Sequence, residues 1–262
     1  MTKAKKSLGQ NFLIDKNIID KITNIINIKN KMVLEIGPGT GNLTSALLNA
    51  KPKKLIVIEK DNSLSDFLKN EFNNEIIIIN DDVLKIDENS LAEDTLTVFG
   101  NLPYNISTEI LCKWILNIND KKIWFDHLIL MFQKEVADRI ISNFNTKDYG
   151  RLSILSNWKL NIKKICDIGP NSFSPRPKIE SSLLIFKPKK KFIEFQNAKN
   201  LEKITRIFFM HRRKMIKKPY SQLFNENLEP SLKLKINLNL RPQNLDFETY
   251  YNLTREYENL RS

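Results

Sequence analysis

The chain has 262 residues, 42 Lys and Arg against 30 Asp and Glu, a formal net charge of +12 at neutral pH and 41% hydrophobic residues. That length suits one large domain of roughly 150 to 200 residues plus a smaller one, with ample apolar content for a core. No stretch approaches the roughly 20 uninterrupted apolar residues of a membrane span, and no apolar run follows the charges of Met1-Thr2-Lys3-Ala4-Lys5-Lys6, so the expectation is a cytoplasmic protein without a membrane partner.

Cys112 and Cys166 stand in dissimilar contexts without CxxC or His-Cys spacing, which argues against a disulfide framework and a zinc site. The charge excess points to a polyanionic partner, because clustered cations gain affinity by releasing counterions from phosphates. It is concentrated late in the chain, where residues 181–262 carry 17 basic and 8 acidic side chains. A merely solvated lysine-rich surface is the competing reading of that charge.

In chain order, Ile18, Ile22, Ile25 and Ile26 recur at helical spacing and predict a helix over 17–29, feeding a compact apolar strand at 32–36 that ends in glycines. A helix over 44–48, a strand at 54–59, a helix over 63–72 and a strand at 75–80 follow. The alternation continues with a strand at 96–100, a helix over 108–116, a strand at 127–132 and a helix over 134–141. Strands apolar on both faces and separated by helices predict an α/β fold with a mostly parallel, Rossmann-like sheet. The apolar segments 163–167 and 181–186 are expected to close it as an antiparallel pair. After the charged break Lys187-Pro-Lys-Lys-Lys191, Leu201, Ile204, Ile207 and Phe208 form one helical stripe. The expected division is therefore a catalytic domain over 1–187 and a smaller helical domain over 188–262.

Three motifs carry chemistry. In Glu35-Ile36-Gly37-Pro38-Gly39-Thr40-Gly41 the glycines stand where a strand turns into a helix, so backbone and ligand can approach closely. Glu59, ending the next strand, is placed for the two hydroxyls of a ribose. A dinucleotide is the rival ligand, but the run lacks GxGxxG spacing and Glu35 would repel a phosphate while welcoming a cation. S-adenosylmethionine, with a sulfonium and an ammonium, fits that chemistry. Asp82, chosen over Asp81, would accept the amine of the cofactor's adenine, with Lys60 and Val83 beside it; an N-cap role for the next turn is the alternative for either aspartate.

The third motif is Gly100-Asn101-Leu102-Pro103-Tyr104-Asn105-Ile106-Ser107. An adenine amine is a poor nucleophile because its lone pair is delocalised into the ring. An Asn oxygen and a nearby main-chain carbonyl that hold the NH₂ group can turn that lone pair toward an electrophilic methyl. Tyr104 offers a face for stacking a splayed-out base. His127 and His211 lack partners at metal spacing, so no metal is expected.

These motifs, together with Ser7-Leu-Gly-Gln10-Asn11-Phe12-Leu13, Phe132-Gln-Lys-Glu135, Phe173-Ser-Pro-Arg-Pro177 and Arg212-Arg-Lys214, resemble the ribosomal RNA adenine dimethyltransferase family of the kasugamycin-sensitivity type along nearly the whole chain. The resemblance implies S-adenosylmethionine-dependent dimethylation of two adjacent adenosines in a hairpin loop near the 3′ end of 16S rRNA, in a pre-30S particle, by a monomer. It further implies a catalytic run Asn101-Leu102-Pro103-Tyr104, a cofactor lining that includes Gln10, Asn11, Phe12 and Leu13, and Phe173 stacking on the target base opposite Tyr104. Where the family usually follows its Arg-Arg-Lys with Thr-Leu, a polar residue and Asn, this chain reads Met215-Ile-Lys-Lys-Pro219, which puts the RNA contacts of that segment in doubt.

Arg206, Arg212, Arg213, Lys214, Lys217 and Lys218 are the expected RNA-binding residues. On a continuous helix Arg206, Arg213 and Lys217 would share a face, as would Lys214 and Lys218. The rival functions are a 23S rRNA adenine methyltransferase of the antibiotic-resistance type, a non-catalytic ribosome assembly factor on the same fold and, more distantly, a NAD-dependent oxidoreductase.

Overall fold

The computed structural model describes residues 10–118 and 123–261. The Ser7-Leu8-Gly9 part of the Ser7–Leu13 run and the early lysines lie outside them. In chain order the elements are β1 (Phe12–Leu13), α1 (Lys16–Thr23), β2 (Met32–Ile36), α2 (Asn42–Asn49), β3 (Lys54–Ile58), α3 (Asn62–Phe72), β4 (Ile77–Ile79), β5 (Leu96–Asn101), α4 (Ser107–Asn117), β6 (Phe125–Gln133) and α5 (Lys134–Ile141). They continue with α6 (Arg151–Lys159), β7 (Leu160–Ile168), β8 (Phe173–Ser174), β9 (Ser181–Pro188), α7 (Lys199–Phe209), α8 (Lys217–Phe224), α9 (Glu229–Lys233) and α10 (Phe247–Asn259).

The seven-stranded sheet runs β4-β3-β2-β5-β6-β9-β7. Strands β2 through β6 pair in parallel, and β9 lies antiparallel to β6, as the apolar segment at 181–186 suggested. The direction of chain travel across the sheet reverses at β2, which has β3 on one side and β5 on the other. Ile36 is in register with both Ile58 and Gly100, so the loops leaving β2, β3 and β5 meet at one edge. In an open parallel sheet that switch point is where ligands bind.

Burial explains why these segments are strands. Every residue of β2 is buried, and Val33, Leu34, Val57, Val98 and Phe99 are among the fully enclosed side chains. A strand covered on both faces needs such a continuous apolar run. The flanking helices are capped by their own sequence: Asp15 accepts from the amides of Asn17 and Ile18 at the start of α1, and Asp61 from that of Ser63 at the start of α3. The helix expected over 17–29 stops at Thr23, closed by the Asn24 amide on Asp20 and Ile22 carbonyls.

The chain forms two compact units, one of residues 1–137 and 162–188 and the other of 138–161 and 189–262. The expected division had a single break near 187, whereas in these compact units 138–161 groups with the later part of the chain and 162–188 with the earlier. Helix α6 has Ser153, Ile154, Leu155, Ser156, Trp158 and Lys159 all buried and packs on α7 and α10, and Tyr251 Oη donates to the Ile154 carbonyl at 3.0 Å. In the same unit α7 buries Leu201, Ile204 and Phe208, while Tyr149 Oη donates to Leu245 O at 2.9 Å. Among the described residues no helix is long and apolar enough to cross a membrane.

Candidate active site

Three turns at the sheet edge make a cleft within the first unit. The turn after β2 holds Gly37, Gly39 and Gly41 at φ of +67°, +58° and +80°, a region L side chains resist. At Gly39 an added Cβ would lie 2.6 Å from Phe12 Cδ1, so this glycine lets the N-terminal segment close over the turn. The segment is clipped in place by the β1–β8 pair and by Asn42, whose Nδ2 donates to Leu13 O at 2.8 Å.

Gln10, Asn11, Phe12, Gly37, Gly39, Glu59, Lys60, Asp82, Val83, Asn101, Leu102, Pro103 and Tyr104 all line this cleft, with Asp81 and Ile106. Sequence positions up to 96 residues apart thus converge as the motifs implied. Glu59 is 6% exposed and accepts from the Asp61 amide at 2.8 Å, with the Gly39 and Lys60 amides also on its carboxylate. Burial raises its pKa, and those amides oppose the rise. Asp82 caps the short turn Val83–Lys85 through the Leu84 amide (3.0 Å), the N-cap role weighed for it, and meets Lys60 Nζ at 2.7 Å on the wall of the cleft. Its hydrogen bond with Lys60 holds its carboxyl below the usual range.

The turn after β5 is built for polar work. Asn101 Nδ2 donates to Asn11 O at 2.6 Å, which commits the donor end of the amide and leaves Oδ1 as the acceptor. Tyr104 Oη and Ser181 Oγ lie 2.5 Å apart, tethering the half-buried ring to the start of β9; burial raises the phenol's pKa, against the lowering effect of that hydrogen bond.

Not every expected residue falls where the motifs placed it. Phe173 is 2% exposed, paired with Leu13 across β1–β8 and part of the apolar core, so its ring has no open face in this conformation. Leu13 is buried in the same core. Gly41 does not line the cleft; a Cβ there would lie 2.6 Å from Phe72 Cε2, so it serves helix packing.

Glu35 is likewise behind the wall, 1% exposed, accepting from Thr44 Oγ1 at 2.6 Å. Burial pushes its pKa up to about 8, and the nearby Glu59 adds to the rise. A cation in the cleft would relieve this concentration of buried acid, which is how the donor set fits a sulfonium-bearing cofactor. The raised value has a sign. The protonated carboxyl is favoured in the folded chain, so its stabilising contribution is complete below the ordinary 4.5 and is lost as pH rises through about 8. Glu35→Gln keeps the acceptor for Thr44 and should flatten the fall in thermal midpoint between pH 5 and 8.5 measured without cofactor; a slope equal to the parent's would refute the assignment. Glu59, shifted the same way, leaves a residual slope.

The expected basic ridge is broken. Helix α7 ends at Phe209 and α8 begins at Lys217, with turns between, so Arg206, Arg213 and Lys217 do not share a helical face. Arg212 is used internally: Nε donates to Gln243 Oε1 and an Nη to Thr146 O, each at 3.0 Å. Arg206, Arg213, Lys214, Lys217 and Lys218 remain exposed. Pro219 is tolerated as the third residue of α8, where the amide it lacks would have no partner within the helix.

The model of the family described as ribosomal RNA adenine dimethylase matches residues 1–259. The chain belongs to the ribosomal RNA adenine dimethylase family. It is 64% identical over 259 residues to the ribosomal RNA small subunit methyltransferase A of Pelagibacter ubique, covering 99% of this chain and 98% of that one. To the protein of that name from a Wolbachia of Drosophila simulans it is 42% identical, over 98% and 95% of the two chains. The crystal structure of a dimethyladenosine transferase from Plasmodium falciparum superposes with a TM-score of 0.79 at 27% identity, over 95% of this chain and 98% of that one. The 23S rRNA methyltransferase ErmE, at 20% identity and a TM-score of 0.68 over 95% and 100%, shares the fold.

This adenine dimethylase is therefore a Rossmann-like methyltransferase that uses S-adenosylmethionine to dimethylate adenine in ribosomal RNA, and its high-identity relatives are named for the small subunit. Sequence motifs did not reveal Ser181 behind Tyr104, Asn42 behind Leu13, or the contacts of Lys113 described below. Each is a single polar residue far in sequence from its partner.

Proposed function

We propose that this chain methylates, twice each, the N6 amines of two adjacent adenosines in a hairpin loop near the 3′ end of small-subunit rRNA, acting as a cytoplasmic monomer on a pre-30S particle. The observation that carries the reading is Asn101, with its donor end taken by Asn11 O, in the wall of a cleft that also holds Glu59, Asp82 and Tyr104. Bound S-adenosylmethionine supplies an electrophilic methyl group. Glu59 would hold its ribose, Asp82 with Val83 its adenine, and Gln10, Asn11 and Phe12 with the glycine turn would cover it. Asn101 Oδ1 and a main-chain carbonyl of the same turn would accept the N–H bonds of the target amine, directing the nitrogen lone pair away from the ring; each transfer would form an N–C bond as the S–C bond breaks to leave a thioether, and the cationic nitrogen would then lose one proton to water.

After one transfer a single N–H remains to be held, and after two there is none. The dimethylated base offers Asn101 no donor, so product release follows from the same contact that bound the substrate. Tyr104, anchored by Ser181, would supply the stacking face. The decisive test incubates the protein with labelled methyl donor and either small or large subunits lacking adenine dimethylation, then maps label to nucleotides. Label on large subunits alone would overturn the small-subunit assignment.

The exposed cations of the second unit are the proposed RNA contact. Arg213→Ala with Lys214→Ala should weaken subunit binding and reduce its salt slope by up to about two for duplex contacts, or roughly 1.4 for single-stranded ones. Affinity for free S-adenosylmethionine should hold, since the cleft-lining residues all belong to the first unit. A parental slope across the salt titration would mean these side chains only solvate a turn.

A further inference from the structure

We propose that Lys113 is a positioning residue for the adenine end of the methyl donor, fastening the loop that carries Asp82 and Val83 to the helix that leaves the catalytic turn. This rests on the reading that Asp82 and Val83 hold that adenine. The Lys113 ammonium has three hydrogens and three acceptors: Val83 O at 2.8 Å, Ile86 O, and Glu88 Oε1 at 2.7 Å. Glu88 is 2% exposed, and the same Oε1 accepts from the indole Nε1 of fully buried Trp114 at 2.7 Å. Two consecutive residues of α4 thus grip one loop through a main-chain carbonyl next to the cleft and a buried carboxylate.

Helix α4 begins just after Ile106, the last residue of the turn that presents Asn101 and Tyr104 to the cleft. The same rigid element therefore fixes the catalytic turn at its amino end and, a turn and a half along, the loop bearing the adenine acceptor. Asp82 is locked to that loop in its own right, because Oδ1 accepts from the Leu84 amide at 3.0 Å. Moving Val83 O moves the carboxylate. An apolar contact of similar volume can replace the charges of a buried ion pair at little or no cost, leaving the Val83 and Ile86 carbonyls as the groups that lose a donor. What an apolar contact lacks is direction, and three acceptors converging on one ammonium define the loop's position.

The test uses the full chain. Lys113→Met removes the grip but strands the Glu88 carboxylate, so Lys113→Met with Glu88→Gln is made beside it; Gln keeps the acceptor for Trp114 without an unpaired charge. Binding of S-adenosylhomocysteine and of S-inosylhomocysteine, in which a carbonyl oxygen replaces the adenine amine, is measured by calorimetry, together with steady-state kinetics on unmethylated small subunits.

The double variant should melt near the parent, bind S-adenosylhomocysteine about tenfold or more weaker, raise KM for the methyl donor to match, keep kcat within about threefold, and discriminate less between the two analogues. Lys113→Arg, which keeps charge and donors, should recover part of the discrimination. Unchanged affinity in a folded double variant, or equal loss for both analogues, overturns the proposal. Asp82→Asn separates the layers. If it narrows the discrimination and the Lys113 variants do not, the positioning role alone fails; if Asp82→Asn changes nothing, the adenine reading falls and takes the Lys113 role with it.

Discussion

Asn101→Ala should lose roughly 10² to 10³ in the rate of methyl transfer, the scale seen when one preorganised polar partner of a transition state is removed. The two ends of this side chain have separate duties. Its Nδ2 holds Asn11 O at 2.6 Å and so helps seat the segment that lines the donor site; its Oδ1 is the acceptor proposed to meet the target amine. Removing both ends should therefore weaken donor binding by about fivefold, one net hydrogen bond's worth, and cost far more in the chemical step. Single-turnover rates at saturating donor and subunit isolate that step. A rate within threefold of the parent would show that Asn101 only anchors Asn11.

Much of this site was legible because its parts are local patterns. The glycine turn, Glu59 and the Asn101–Tyr104 run each sit at the end of an apolar strand, and a parallel sheet brings strand ends together without further instruction. The mostly parallel character of the sheet follows from the same alternation of strands and helices, whereas the strand order is seen only in the folded chain. What the sequence concealed is less periodic. Helix α6 is buried on several faces and mixes Ser, Asn and Trp with aliphatic residues, so no single stripe announces it. Strands β1 and β8 are two residues each, too short for any pattern, yet they bury Phe173 and Leu13 together.

The basic run 206–218 reads as a helical ridge only if the helix continues, and spacing alone does not reveal the turns after Phe209. Arg212 illustrates the remaining gap. Its motif suggested a phosphate ligand, whereas its guanidinium donates to Gln243 and Thr146 within the chain. Lys113 lies outside every motif, and three acceptors spread over Val83 to Glu88 single it out only once the chain is folded.

Glu59→Ala should weaken S-adenosylmethionine roughly tenfold to a thousandfold, the span of one to two charge-assisted hydrogen bonds of about 1.5–2 kcal/mol each, while RNA affinity stays near the parent's. In the folded chain the carboxylate is already the acceptor for the Asp61 amide, with Gly39 and Lys60 beside it, so it arrives oriented and half-solvated by backbone dipoles. The alanine variant also strips those amides of their partner. Glu59→Gln is the cleaner companion, since it keeps one acceptor oxygen of similar shape while removing the charge and replacing the other oxygen with a donor. Burial raises the Glu59 pKa, and binding is proposed to need the carboxylate, so donor affinity in the parent should fall as pH drops through a value above the usual carboxylate range. Glu59→Gln should lack that limb while keeping the one that Glu35 contributes near pH 8. Calorimetric titrations of the donor between pH 5 and 9 read both limbs at once. Parental affinity in Glu59→Ala, or a parental pH profile in Glu59→Gln, would place the ribose contact on another residue.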